Sequence, residues 1–78
     1  MKKTTPFIQA MKMLKTKHQR MILLQNCFPL KDSYIDDFCL AIVAYLKWGI
    51  NREFDNMLMQ TLFDAFRDML IRDSKTNH

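Results

Sequence analysis

Glycine and histidine are scarce in this 78-residue chain: one glycine and two histidines. A loop that cradles phosphate needs at least a pair of glycines, so Gly49 alone excludes one, and neither G-x-S-x-G nor H-E-x-x-H occurs. His18 and His78 stand at no ligand spacing from a cysteine or carboxylate, so no metal or cofactor site is expected. The two cysteines, Cys27 and Cys39, show no repeated spacing and read as small buried hydrophobes with reduced thiols. Long apolar runs are missing too. The longest uncharged stretch, residues 21–30, contains Gln25, Asn26 and Pro29, and a membrane span needs about 20 mostly apolar residues. Residues 1–6 hold two lysines with no apolar segment behind them, so no signal peptide is expected. These absences describe a cytoplasmic, non-enzymatic chain without membrane attachment.

What is present is helical patterning over the whole of residues 1–78, read as one domain with polar, frayed ends at 1–4 and 74–78. Thr5-Pro6 reads as a cap followed by a proline in the first turn. Phe7, Met11, Leu14 and Met21 then keep heptad-like spacing, with His18 in the remaining slot and Pro29 beyond, which predicts a helix over about 6–26. Ser33 with Asp36 is a short-armed capping box that opens a second, largely apolar helix over 33–48, stopped by Gly49. Asn51, with Glu53 and Asp55 in the first turns, opens a third over about 52–72. The expected fold is an all-α three-helix bundle of antiparallel neighbours.

The third helix carries two apolar stripes. Phe54, Leu58, Leu62, Ala65 and Met69 form one, expected to face the core. Met59, Phe63, Phe66 and Leu70 form another about 100° away, expected to line a protein interface. A core of this size supplies only about 3–5 kcal/mol, so self-association as a dimer is the expected supplement.

Acidic residues are absent from the first 31 positions. Lys2, Lys3, Lys12, Lys15, Lys17, Arg20 and Lys31 lie there unopposed, whereas residues 32–78 hold five bases and eight acids, giving the net charge of +4. Lys12, Lys15, Lys17 and Arg20 are the candidate contacts to phosphate or to an acidic partner. The turn at Gly49 invites comparison with a helix-turn-helix DNA reader, but the helix after it would begin with Glu53 and Asp55, which oppose the phosphate field. The sequence therefore points to a helical module that docks onto another protein or a second copy as an accessory regulator or inhibitor. Nucleic-acid binding through the basic first helix is the alternative.

Overall fold

A computed structural model describes residues 4–76, so Lys2, Lys3 and His78 lie outside the described residues. Four helices are present and no strand among those residues: α1 (Thr5–Met13), α2 (Lys17–Cys27), α3 (Asp32–Trp48) and α4 (Met57–Thr76). The expectation of three helices is corrected by one break, which divides the first predicted helix in two.

The break lies at Leu14-Lys15-Thr16 and is built from side chains that close both new helix ends. Leu14 turns extended, with φ −74° and ψ 139°, yet stays in the core. Thr16 caps α2, its Oγ1 accepting the Gln19 N–H at 3.1 Å, while Gln19 Oε1 accepts the Lys15 N–H at 3.1 Å. Thr16-Lys17-His18-Gln19 is thus a capping box whose returning arm reaches one residue further back than usual. Arg20 Nη1 donates to the Leu14 carbonyl at 3.0 Å, giving a partner to a group that the end of α1 leaves open. Divided in this way, α1 lies chiefly on α3 and α2 chiefly on α4, a pairing that one straight rod cannot make.

The other boundaries shift for local reasons. Thr4, not Thr5, is the α1 cap, and its hydroxyl is buried without a hydrogen-bond partner; Pro6 does sit in the first turn. Phe28 keeps helical dihedrals although Pro29 follows, and α2 ends at Cys27. Lys31 precedes α3, with no side-chain cap, so the predicted Ser33–Asp36 box is not formed. Gly49 ends α3 as expected, at φ 68°, where a β-carbon would be strained. The last helix starts at Met57 instead of 52 because Asn56 caps it. Asn56 Oδ1 accepts the Leu58 and Met59 N–H groups at 2.9 and 3.2 Å. Asn51 instead accepts a bond from Arg67 Nη1 at 3.3 Å. This helix runs on to Thr76, and of the ends expected to fray, residues 1–3 and 77–78 lie outside the described residues.

Residues 50–56 fold back over α3. The Arg52 guanidinium stacks 4.8 Å from the Phe54 ring centroid and reaches the Asp37 carbonyl at 3.3 Å, and Gln60 Oε1 accepts the Phe54 N–H at 2.7 Å. Beneath lies an aromatic cluster in which Phe63 meets Tyr45 and Phe54 at 6.5 and 5.7 Å, and Phe66 meets Phe38 edge-on at 6.0 Å. The core also takes Phe7, Ala10 and Leu14, then Leu23 and Cys27, and six α3 residues from Ile35 to Val43.

Candidate interaction surface

Of the two stripes on the last helix, the structure buries the one expected to be an interface. Met59, Phe63, Phe66 and Leu70 are at most 8% exposed within this single chain, so the expectation that they line an interface is corrected. Of the stripe expected in the core, Leu58 is 58% exposed, Ala65 is exposed, and only Met69 is fully buried. The reason is ring area. Each buried phenylalanine removes more apolar surface from water than Leu58 or Ala65, so α4 rotates to place Phe63 and Phe66 inward.

The four candidate cations lie on two helices and the turn between them, not on one helical face. Lys12 is in the last turn of α1, Lys15 in the break and Lys17 in the first turn of α2, all exposed. Arg20 is half-buried and committed to the Leu14 carbonyl. His18, expected on the apolar stripe, is exposed because the break turns that stripe away from it. Gln19 is buried, and its Nε2 donates to Asp73 Oδ2 at 3.0 Å, fastening α2 to the end of α4.

Three segments at helix ends converge around an open groove of about 1030 Å³. The α1–α2 break contributes Met13, Lys15, Thr16, His18 and Gln19. The end of α3 contributes Tyr45, Leu46, Gly49 and Asn51, and the last turns of α4 contribute Leu70, Ile71, Asp73, Ser74 and Lys75. Met13, Tyr45, Leu46 and Leu70 give it an apolar floor, half-buried or buried by the core beneath. Lys15, His18 and Lys75 stand exposed at its edge, and its one carboxylate, Asp73, is bonded to Gln19. Trp48 and Ile50 flank Gly49 beside the groove, 68% and 50% exposed, with the Lys47 ammonium 5.5 Å from the Trp48 ring centroid. A large aromatic left this open next to an apolar depression is the usual composition of a contact surface.

The chain matches no protein-family model, no curated protein and no solved structure. Its chemistry must be read from its own residues.

Among the described residues no group of three His, Cys, Asp or Glu side chains is placed to hold a metal ion. No helix among them is long and apolar enough to cross a membrane. Of the groove's hydroxyl residues, Thr16, Tyr45 and Ser74, the first uses its Oγ1 in capping α2.

A second constellation lies inside the core, where Cys27 Sγ and Cys39 Sγ are 3.9 Å apart, both fully buried and both free thiols. The hydrogen bond with Cys39 pulls the Cys27 thiol below its ordinary pKa, against the opposing effect of burial. That same bond, burial, and the negative charges of Cys27 and Asp36 push the Cys39 thiol far above its own. Sequence reasoning placed each cysteine in the core but had no signal for the pair. The groove did leave a sequence signal, the Thr16-x-x-Gln19 box that marks the break.

Proposed function

We propose that this chain is a small helical module that docks onto an acidic, amphipathic segment of another protein through the groove, acting as an accessory regulator or inhibitor. The observation that carries this reading is the pairing of an apolar floor with a basic edge, beside the exposed indole of Trp48. Apolar anchors on the partner would cover Met13, Tyr45 and Leu46. Carboxylates would meet Lys15, His18 and Lys75, and the nearby Lys12 and Lys17 would raise the rate of encounter. Rim charges of this kind govern recognition and on-rate more than affinity, so the apolar contacts must supply most of the binding energy.

Two other readings are weaker. Dimerisation was expected from a stripe that lies in the core, which removes its main support. Nucleic-acid binding asks for cations spaced along a backbone, and here the helix that would carry them is broken, with Arg20 held inward.

Trp48 is the only tryptophan and stands next to Gly49 at the groove's margin, so its emission reports on a partner that covers that margin. Titration with a synthetic acidic peptide bearing leucine and phenylalanine anchors should shift the emission to the blue. The Lys15→Glu, Lys75→Glu variant should weaken binding about tenfold or more, the effect of losing roughly 1.4 kcal/mol. A charge-reversed peptide should fail. If the acidic peptide leaves Trp48 unchanged while a DNA duplex binds with a steep salt dependence, the reading is wrong and the nucleic-acid alternative takes its place. Concentration-dependent sedimentation as a dimer that masks Trp48 would make a second copy the partner.

A further inference from the structure

We propose that Cys27 and Cys39 are a disulfide-forming site, oxidised by hydroperoxides, that covalently staples α2 to α3. This inference is independent of the groove.

Its first support is placement. The sulfurs lie 3.9 Å apart, whereas a disulfide holds them at about 2.05 Å, so the pair must close by roughly 2 Å. Cys39 sits in the middle of α3, held on all sides by core residues, and cannot travel far. Cys27 is the last residue of α2, where helices fray most readily. Behind it runs an exposed turn in which Phe28 is 77% open to solvent and Pro29 and Lys31 are exposed. The movable sulfur is therefore Cys27, and the same local opening that moves it admits a small oxidant.

The second support is chemical asymmetry. The two thiols share a hydrogen bond in which either sulfur can donate, and with Cys39 as the donor the Cys27 thiolate, the reactive form, is favoured. Cys27, at the helix end where local opening admits the oxidant, is thus the attacking thiol and Cys39 the resolving one. The Cys27 thiolate attacks one peroxide oxygen, the O–O bond breaks, and hydroxide leaves and takes up a proton, giving a sulfenic acid on Cys27. Cys39 sulfur then attacks Cys27 sulfur, the S–O bond breaks, and the departing hydroxide takes the Cys39 proton as water. Two thiols lose two electrons in total, and hydrogen peroxide is reduced to two waters. A thiol reductant reverses the bond by exchange.

The third support is architectural. α2 lies on α4 and is fastened to it by the Gln19–Asp73 bond but has little packing on α3, so a Cys27–Cys39 bond adds a covalent tie between α2 and α3.

The test uses the full reduced chain with hydrogen peroxide under native conditions, followed by alkylation in denaturant and mass spectrometry. The expected product has no alkylatable thiol, regains two after dithiothreitol, and on trypsin digestion yields peptide 21–31 linked to peptide 32–47. The share of oxidised Cys27 that ends as the Cys27–Cys39 disulfide should be lower in urea, because the fold holds the two sulfurs together. In the Cys39→Ser variant, dimedone should trap a sulfenic acid on Cys27, while Cys27→Ser should leave Cys39 unreacted. Two thiols that survive native oxidation, a Cys27 carried on to sulfinic acid beside an intact Cys39, cross-linking between chains, or an equal disulfide share in urea would each overturn the proposal. The linked-peptide measurement needs no variant, so it stands even if a serine at either buried position unfolds the chain.

Discussion

Gln19→Ala is the perturbation that bears most directly on why the first predicted helix is broken. Gln19 is 6% exposed, and its side-chain amide joins the break to the end of α4. The bond from the Lys15 N–H is neutral and contributes about 1 kcal/mol, and the bond to the Asp73 carboxylate contributes about 1.5 kcal/mol. Lys15 is exposed, so its N–H is rehydrated after the substitution and adds no burial penalty. The expected loss is therefore about 2.5 kcal/mol before any lost packing. A chain of this length has a total stability of roughly 4–12 kcal/mol, so the variant should remain folded but markedly weaker. In urea, with a denaturant slope of about 1–2 kcal/mol/M, the midpoint should fall by about 1.3–2.5 M. A double-mutant cycle with Asp73→Ala isolates the cross-helix bond and should give a coupling of about 1–1.5 kcal/mol. Hydrogen exchange at the Lys15 amide should lose its protection in Gln19→Ala. Additivity within about 0.3 kcal/mol together with an unchanged Lys15 exchange rate would refute the argument that Gln19 holds the break in place.

Substitutions at three further positions examine the rest of the fold. Phe63→Ala removes a fully buried ring packed against Tyr45 and Phe54 and should cost about 3–5 kcal/mol, whereas Leu58→Ala should cost under about 0.5 kcal/mol; chemical denaturation that reverses this order would put the other stripe of α4 in the core. Gly49→Ala should cost about 1–2 kcal/mol from its left-handed backbone alone, since nothing lies within 4 Å of an added β-carbon, and Gly49→Asn should cost less; equal thermal midpoints for glycine and alanine would show that the αL geometry is not retained in solution.

Sequence patterning located α3 almost completely, because an apolar helix that ends at a glycine leaves few alternatives. The first helix failed for an instructive reason. Heptad spacing through Phe7, Met11, Leu14 and Met21 continues straight across residues 14–16, and periodicity has no term for a cap in its midst. The Thr16-x-x-Gln19 box was legible there, but its competition with a regular pattern is decided by tertiary contacts, namely Arg20 on Leu14 and Gln19 on Asp73. The last helix was expected to open at Asn51. Asn56 caps it instead, and Gln60 takes the Phe54 N–H in the segment before it, a contact that no local rule anticipates. The two stripes of α4 lie only about 100° apart, so a helical wheel leaves their order open and the size of the phenylalanine rings decides it. The groove depended on the missed break, and the sulfur pair on how α2 meets α3, so neither was visible in one dimension.

The order in which the helices pack has a last consequence, for cooperativity. α1 rests mainly on α3 and α2 on α4, so each half of the chain completes its partner in the other half. At 9 and 11 residues, α1 and α2 are shorter than the length at which an isolated helix persists in water. The first half therefore holds no fold-competent fragment, and no stable α1–α2 piece should accumulate along the unfolding curve. A single proteolytic cut in the turn at residues 28–31 would leave an N-terminal piece that is coil until it finds the α3–α4 pair again.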